Sequence, residues 1–116
     1  MKLEKLIQIL DAELLNEKDC NIDIEVNTAC GSDLMSDVIS YGDEKDVLLS
    51  GLVNPQVIRT AEMMDIKVVI FVRGKRPTEA MIELASEKGI VLITTKNPMF
   101  SACGKLYNAG ISGGSV

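Results

Sequence analysis

The sequence has no histidine and no tryptophan, and its only aromatic residues are two tyrosines and two phenylalanines. Without histidine, the chain cannot form a Ser-His-Asp or Cys-His catalytic group, a histidine-ligated zinc site or a simple histidine pH switch. So few aromatic rings also leave little surface on which nucleic acid bases could stack. These absences exclude several common classes of enzyme and metal site.

Cysteine is sparse as well, because Cys20, Cys30 and Cys103 are odd in number and no two have CxxC spacing. This pattern does not predict a disulfide framework, and three thiols cannot supply the four ligands of an iron–sulfur cluster within one chain. No apolar run approaches membrane-spanning length, and Glu4 and Lys5 interrupt the N-terminal apolar pattern, unlike a signal peptide. We therefore expect a reduced, cytoplasmic protein with no membrane contact.

Length and composition are those of one globular domain. The chain has 116 residues, of which 47% are hydrophobic and 25% charged, enough for a core without disulfide or metal staples. Its net charge is −5, from 17 acidic and 12 basic residues. Binding to nucleic acid needs clustered lysine and arginine, so this balance predicts no nucleic-acid partner. We predict a single domain over residues 1–116.

The stretch Asp46–Lys75 organises the rest of the chain. Val47–Leu49 and Val68–Val72 are apolar runs typical of parallel strands buried on both faces. Between them, Asn54 supplies a helix cap and Pro55 a first helical residue. The pattern predicts a strand–helix–strand unit with a right-handed crossover.

The flanking segments predict further helices and strands. Strict alternation in Asn21–Asn27 indicates a strand near the sheet edge, since one of its faces is polar. Before the central unit we expect a helix Met1–Leu15, a polar turn Asn16–Asp19, that strand, a turn Thr28–Gly31, a helix from Ser32 to about Tyr41 with Leu34, Met35 and Val38 facing the core, a stop at Gly42 and an acidic loop Asp43–Asp46. After it we expect a helix Thr78–Lys88 ended by Gly89, a strand Ile90–Ile93, a helix from Asn97-Pro98 through Leu106 or Asn108 ended by Gly110, and a mobile tail Ile111–Val116.

This order of elements predicts the fold class and a repeated local pattern. Helices before and after alternating strands indicate an α/β fold, a three-layer α/β/α sandwich with a largely parallel sheet of about four or five strands. Pro55, Pro77 and Pro98 each follow an apolar run, and we expect each to open a helix in the same way.

The predicted carboxyl edge of the sheet carries polar and basic turns. In open α/β sheets ligands bind beyond the carboxyl ends of the strands, where helix N-termini favour anions. Arg73, Lys75, Arg76 and Lys96 add positive charge there. The alternative is that these residues only form tight turns and caps. The predicted ligand-binding residues are Ser50, Gly51, Asn54, Arg73, Gly74, Lys75, Thr94, Thr95, Lys96 and Asn97.

Other chemistry-bearing residues carry weaker signals. Gly74-Lys75 is followed by arginine, so this is no P-loop, and GxGxxG is absent. Asp33 and Asp37 could bind a metal, but acidic residues in a first helical turn are usually solvated, so we predict no metal site. Cys30 precedes a helix N-terminus, which would lower its thiol pKa, or it is a small buried residue in a turn.

Three stretches resemble the DRTGG domain family, whose fold is similar to the N-terminal domain of HPr kinase/phosphorylase. They are ACGSDLMSDVISYG, LLSGLVNPQVIRTAEMMDIKVVIFVRGKRP and GIVLITTKNPMFSACGKLYNAGI, within about Thr28–Ile111. The chain departs from the motif where relatives carry Thr-Gly-Gly, since it has Arg73-Gly74-Lys75. The resemblance is to the stand-alone, hydrogenase-associated type and implies a regulatory module without catalytic residues.

Three functions follow as hypotheses. The first is a non-catalytic regulatory or protein-interaction module that senses a small anionic ligand, a phosphate or nucleotide bound weakly and not held as a cofactor. The second is an accessory protein for iron–sulfur hydrogenase function or assembly, in which a dimer could share one cluster although we expect none. The third is a small enzyme that uses Cys30. We expect a homodimer, with a partner enzyme such as a hydrogenase.

Overall fold

The order of elements in the computed structural model, which describes residues 1–41 and 44–114, follows a repeating strand–helix pattern. Five helices and five strands are seen in these ranges, with a short 3₁₀ helix at Glu17–Asp19. They are α1 (Leu3–Ile9), β1 (Glu13–Leu14), β2 (Ala29–Gly31), α2 (Met35–Tyr41), β3 (Val47–Ser50), α3 (Pro55–Met63), β4 (Val68–Phe71), α4 (Glu79–Glu87), β5 (Val91–Thr94) and α5 (Met99–Asn108).

The five strands form one sheet in the order β1-β5-β4-β3-β2. Strands β2 to β5 are parallel, and β1 pairs antiparallel with β5 at one edge. Residues of β3 and β4 are buried along their whole length, as expected for central strands covered on both faces. The prediction of a largely parallel sheet is confirmed.

Alternate residues of each strand face two separate hydrophobic cores. On one face, Leu49 and Ile70 belong to a core that includes buried residues of α1 and α5. On the other, Leu48 and Val69 pack in a core with buried residues of α2, α3 and α4. The three-layer α/β/α arrangement predicted from the sequence is therefore confirmed.

The predicted helix Met1–Leu15 is too long. Helix α1 ends at Ile9, and Asp11 adopts a positive φ of 47° that turns the chain out of the helix. Leu14, which fits the helical stripe in the sequence, instead lies in β1 opposite Ile93. The spacing of Leu14 therefore matches the apolar pattern of α1 although this residue lies outside the helix.

The predicted edge strand Asn21–Asn27 is also wrong. The sheet has β1 at one edge and, at the other, β2, where a turn was predicted. The backbone groups of Ile24 and Val26 are used by the N-terminal residues, because the Leu3 amide donates to the Ile24 carbonyl at 3.0 Å and the Val26 amide donates to the Met1 carbonyl at 2.8 Å. The extended segment therefore pairs with residues before α1 and does not join the sheet.

The three prolines do not share one structural position. Pro55 is the first residue of α3, as predicted, and Asn54 caps it by accepting from the Gln56 amide at 2.9 Å. Pro77 instead precedes the capping residue of α4, and Pro98 is itself the residue before α5.

Helix α2 begins later than predicted, at Met35. Leu34 therefore lies before the helix, and it is 58% exposed instead of facing the core. Met35 and Val38 are buried, as predicted.

The start of the predicted tail is part of the fold. Ile111 is buried, and Ser112 donates its amide to the Asn27 carbonyl at 3.0 Å and accepts from the Ala29 amide at 2.9 Å. The predicted helix stop at Gly42, the start of the acidic loop at Asp43 and the last two tail residues lie outside the described residues. No helix in the described ranges is long and apolar enough to cross a membrane.

Candidate functional site

The carboxyl ends of the three central strands lie side by side. Ser50 at the end of β3 is in register with Phe71 of β4, which is in register with Thr94 of β5. The loops that follow these strands therefore emerge from one edge of the sheet, as the sequence predicts for a ligand-binding edge.

Backbone hydrogen bonds join two of these loops. The Arg73 amide donates to the Asn97 carbonyl at 2.9 Å, and the Gly74 amide donates to the Thr95 carbonyl at 2.8 Å. Arg73 and Gly74 both have positive φ, 58° and 68°, so the loop after β4 turns sharply here. Arginine rarely adopts this conformation without cost, and such positions are often found at functional sites.

A cleft of about 490 Å³ opens at this edge, between the β2–α2 loop, the end of β4 and the start of α5. Arg73 lies on one wall, and Phe100, which is 89% exposed, lies on another. Helix α5 begins at this cleft. Its N-cap residue, Pro98, makes no side-chain hydrogen bond, so no side-chain oxygen of this residue caps the first-turn amides. The remaining lining residues are Gly31, Ser32, Asp33, Val72, Pro98 and Met99.

The Asp33 carboxylate meets three donors at the edge of this cleft. It accepts from the Gly51 amide at 2.6 Å and from the Ser50 hydroxyl at 3.4 Å, and it lies 3.9 Å from the Arg73 guanidinium. A Cβ atom on Gly51 would lie 2.7 Å from Nη2 of Arg73, so a side chain at this position would push the guanidinium away from the Gly51 backbone.

A second cleft, of about 270 Å³, lies on the other side of the β4–α4 loop and is lined by Gly74, Thr94, Thr95 and Lys96 together with residues of the α1–β1 turn. Arg76 forms two hydrogen bonds of 2.9 Å with the Glu13 carboxylate across this cleft. These bonds hold the pKa of Glu13 below its usual range. The charge of Arg76 is therefore already paired.

Several predicted site residues serve the fold with their side chains. The Thr94 hydroxyl donates to the Lys75 carbonyl at 2.6 Å. Thr95 and Asn97 both donate to the Leu10 carbonyl, at 2.8 and 2.9 Å, and so hold the end of α1 against this loop. These side chains are not free to bind a ligand as they stand.

The charges of Lys75, Lys96 and Arg73 remain available, unlike that of Arg76. Lys75 and Lys96 are exposed, and neither makes an ion pair within residues 1–41 and 44–114. Arg73 is about half exposed and pairs only loosely with Asp33. Of the predicted residues, only Arg73 lines the larger cleft, and Ser50 and Gly51 lie behind it in contact with Asp33. The smaller cleft is lined by Gly74, Thr94, Thr95 and Lys96, and neither cleft is lined by Asn54, Lys75 or Asn97.

Sequence reasoning missed two residues at the larger cleft. Asp33 was assigned to the first turn of a helix, but α2 begins two residues later and the carboxylate bonds to the Gly51 amide instead. Phe100 follows Pro98 in an amphipathic pattern, and nothing in that pattern distinguishes a rim position from a core position. The positions of Asp33 and Phe100 at this cleft depend on contacts between segments that are distant in the sequence.

The surroundings of Cys30 and Cys103 disfavour a reactive thiolate. Burial raises the pKa of the Cys30 thiol, an effect that Lys45 opposes, and burial likewise raises the pKa of Cys103. Cys30 lies within β2, not before a helix as predicted. No three Cys, Asp or Glu side chains of the described residues are grouped so as to hold one metal ion.

Comparison with known proteins identifies relatives of this domain. A sequence model of the DRTGG domain matches residues 5–109. The fold is similar to that in the crystal structure of the CBS and DRTGG domains of the regulatory region of Clostridium perfringens pyrophosphatase, complexed with its activator diadenosine tetraphosphate, with a TM-score of 0.73 and 20% sequence identity. The match covers 90% of the present chain and 45% of the other. No curated protein sequence gives a significant match.

Proposed function

Because the chain belongs to the DRTGG domain family, we propose that it is a regulatory module that senses a small anionic ligand and has no catalytic activity of its own. The ligand class is a phosphate-bearing molecule, and a nucleotide fits best. The pyrophosphatase region that shares this fold binds a dinucleotide activator, which supports the same ligand class here.

The observation that carries this proposal is the cleft between Arg73 and the start of α5. A guanidinium can bind two phosphate oxygens at once, and the first-turn amides of a ten-residue helix favour negative charge. Phe100 offers an exposed ring on which a base could stack. One cleft therefore holds partners for both halves of a nucleotide.

The expected affinity suits a sensor. Hydrogen bonds to charged groups contribute about 1.5–3 kcal/mol each before the entropy of binding is subtracted. Two or three such bonds give dissociation constants on the order of micromolar to millimolar. Binding should weaken as salt rises, because Arg73 is partly exposed and its attraction is screened.

We expect ATP, inorganic phosphate and sulfate at low salt to shift NMR signals of residues 31–33, 50–54, 72–76 and 94–100. Arg73→Gln should weaken binding of all three anions by about tenfold, because it removes one charge-assisted contact of about 1.4 kcal/mol or more. Phe100→Ala should weaken ATP but leave phosphate unchanged, because only the nucleotide has a base to stack.

Arg59→Gln is the matched control, since Arg59 is an exposed arginine on α3 that lines neither cleft. It removes the same charge and should leave the affinity within twofold. An absence of shifts with any of the three anions at millimolar concentration would contradict the ligand proposal and leave a pure interaction module.

A homodimer is the second part of the proposal. The segment at and before α2 exposes three large apolar side chains, Leu34, Ile39 and Tyr41, more than a short helix needs for its own packing. Two-fold dimers are the commonest assemblies of such domains. Light scattering at micromolar concentration should give about twice the 12.6 kDa of the chain, and the monomer mass would refute the dimer.

The alternatives have less support. A small enzyme using Cys30 would need a thiolate, but burial raises the pKa of this thiol and the chain has no histidine to act as its base. An accessory role for an iron–sulfur hydrogenase is supported only by the resemblance and by Cys30 and Cys103 lining one small pocket of about 150 Å³. Four thiolates would then require two chains. Visible absorbance after anaerobic reconstitution separates this candidate from the first.

The setting we propose is the cytoplasm, since the three cysteines form no disulfide.

A further inference from the structure

We propose that Asp33 is an internal competitor for the anionic ligand, a carboxylate that occupies the anion position at Gly51 and Arg73 until a ligand displaces it. This inference rests on the proposed function, because it concerns the regulation of the same cleft. It assigns to Asp33 a role that neither a helix cap nor a metal ligand would have.

The donors around Asp33 are those that recognise a phosphate oxygen. A backbone amide, a hydroxyl and a guanidinium converge on this carboxylate, with the Gly51 amide closest at 2.6 Å. The same combination of donors serves phosphate groups in many proteins. A negatively charged ligand that entered the cleft would therefore compete with Asp33 for these atoms.

The fit at Gly51 shows how closely the carboxylate occupies this position. A Cβ atom on Gly51 would lie 3.3 Å from both oxygens of Asp33 and 2.7 Å from Nη2 of Arg73. Both charged groups therefore lie directly against the bare backbone of Gly51. The absence of a side chain there leaves room for an oxygen anion, which at present comes from Asp33.

Displacement of Asp33 is sterically open. The side chains of Asp33 and Arg73 are 54% and 53% exposed, so a ligand can reach both from solvent. The contacts that the structure gives for the Asp33 carboxylate are to Ser50, Gly51 and Arg73, and none of these residues belongs to α2. Asp33 can therefore leave its partners without unwinding the helix.

Such a displacement has a consequence beyond the cleft. Asp33 lies in the short connection between β2 and α2, beside the exposed side chain of Leu34. Release of its carboxylate therefore loosens this connection, while the buried side chains of Met35 and Val38 keep α2 on the core. A ligand that replaces Asp33 at Gly51 thus changes the position of Leu34.

The apparent affinity of a ligand equals its intrinsic affinity multiplied by the fraction of molecules in which its position is free. Removing the competing carboxylate should therefore tighten binding. We expect Asp33→Asn and Asp33→Ala to bind inorganic phosphate and ATP about fivefold or more tightly than the wild type, measured by NMR titration that follows the Gly51 amide.

Asp37→Asn is the matched control, because it removes the same charge from the same segment and Asp37 has no contact with Gly51 or Arg73 in the described structure. Its affinity should stay within twofold of the wild type. Equal tightening by Asp37→Asn and Asp33→Asn would show a general effect of charge and overturn the competitor role.

The remaining outcomes separate this inference from the proposed function. Anion binding by the wild type that is unchanged or weakened in both Asp33 variants overturns the competitor and leaves the ligand proposal intact. Loss of folding in both Asp33 variants, seen as collapsed amide dispersion, would identify a structural role and also overturn it. If wild type and variants all fail to bind phosphate and ATP, the proposed function and this inference fall together.

Discussion

Replacing Phe71 with alanine is expected to lower the free energy of unfolding by about 3–5 kcal/mol. Phe71 is fully buried at the end of β4, the middle strand of the sheet, and packs in the core formed with α2, α3 and α4. Removal of the ring forfeits its burial and leaves a cavity that the surrounding strands cannot close. Urea denaturation monitored by circular dichroism measures the change.

The second phenylalanine of the chain provides the control. Phe100→Ala removes the same ring from a position that is 89% exposed, and we expect it to change the free energy of unfolding by no more than about 0.5 kcal/mol. Because small domains are stable by about 5–15 kcal/mol, the Phe71 variant would lose a large share of that stability. Equal effects of the two substitutions would contradict the core position of Phe71.

Replacing Asn16 with alanine is expected to lower the free energy of unfolding by about 2–4 kcal/mol. The Asn16 side chain is buried and bonds to the backbone of the strand region beside it, donating to the Ile90 carbonyl at 2.8 Å and accepting from the Leu92 amide at 2.9 Å. The Asn16 side chain therefore bonds to the backbone beside and within β5, just past the last backbone pair between β1 and β5. Alanine leaves the buried Leu92 amide unpaired, which costs about 1–3 kcal/mol. It also leaves the Ile90 carbonyl with only the weak thiol donor of Cys20, at 3.5 Å.

Asn21→Ala serves as the control for this effect. Asn21 is exposed, and its carboxamide bonds only locally, accepting from the Asp23 amide at 3.0 Å. We expect a change of about 0.5 kcal/mol or less in the same urea experiment. If Asn16→Ala were no more destabilising than Asn21→Ala, the two bonds of the Asn16 carboxamide would not contribute to stability as expected.

The central part of the fold could be predicted because its signals are local. The strands at Val47–Ser50 and Val68–Phe71 are continuous apolar runs buried on both faces, and Asn54 with Pro55 marks the start of α3 within two residues. Each of these features depends on neighbours in the sequence, so one sequence is enough to read them.

The first third of the chain could not be predicted for the opposite reason. Ala29–Gly31 has only small residues and is short, so it carries no strand signal, yet it pairs with β3. The alternating segment before it has a strand pattern, but the residues before α1 take its hydrogen bonds across more than 20 positions. Whether a segment joins the sheet thus depends on contacts with distant parts of the chain, and local strand propensity does not report those contacts.

The candidate site shows the same division. Parallel strands bring their carboxyl ends together, so the loops at Gly51, Arg73 and Lys96 were predictable as one edge. Which side chains remain available was not, because Thr95 and Asn97 bond to Leu10 across 85 and 87 positions. Sequence reasoning thus located the edge but not the cleft with Phe100.

The two ends of the described chain are fixed to one short segment. The Met1 amino group donates to the Val26 carbonyl at 3.1 Å and to the Asn27 side chain at 3.2 Å, while the Ser112 amide donates to the Asn27 carbonyl. Loosening of this segment would therefore release the residues before α1 and the residues after α5 in one step. We expect the Val26 and Ser112 amides, which donate to the Met1 and Asn27 carbonyls, to exchange their hydrogens at similar rates as one local unit.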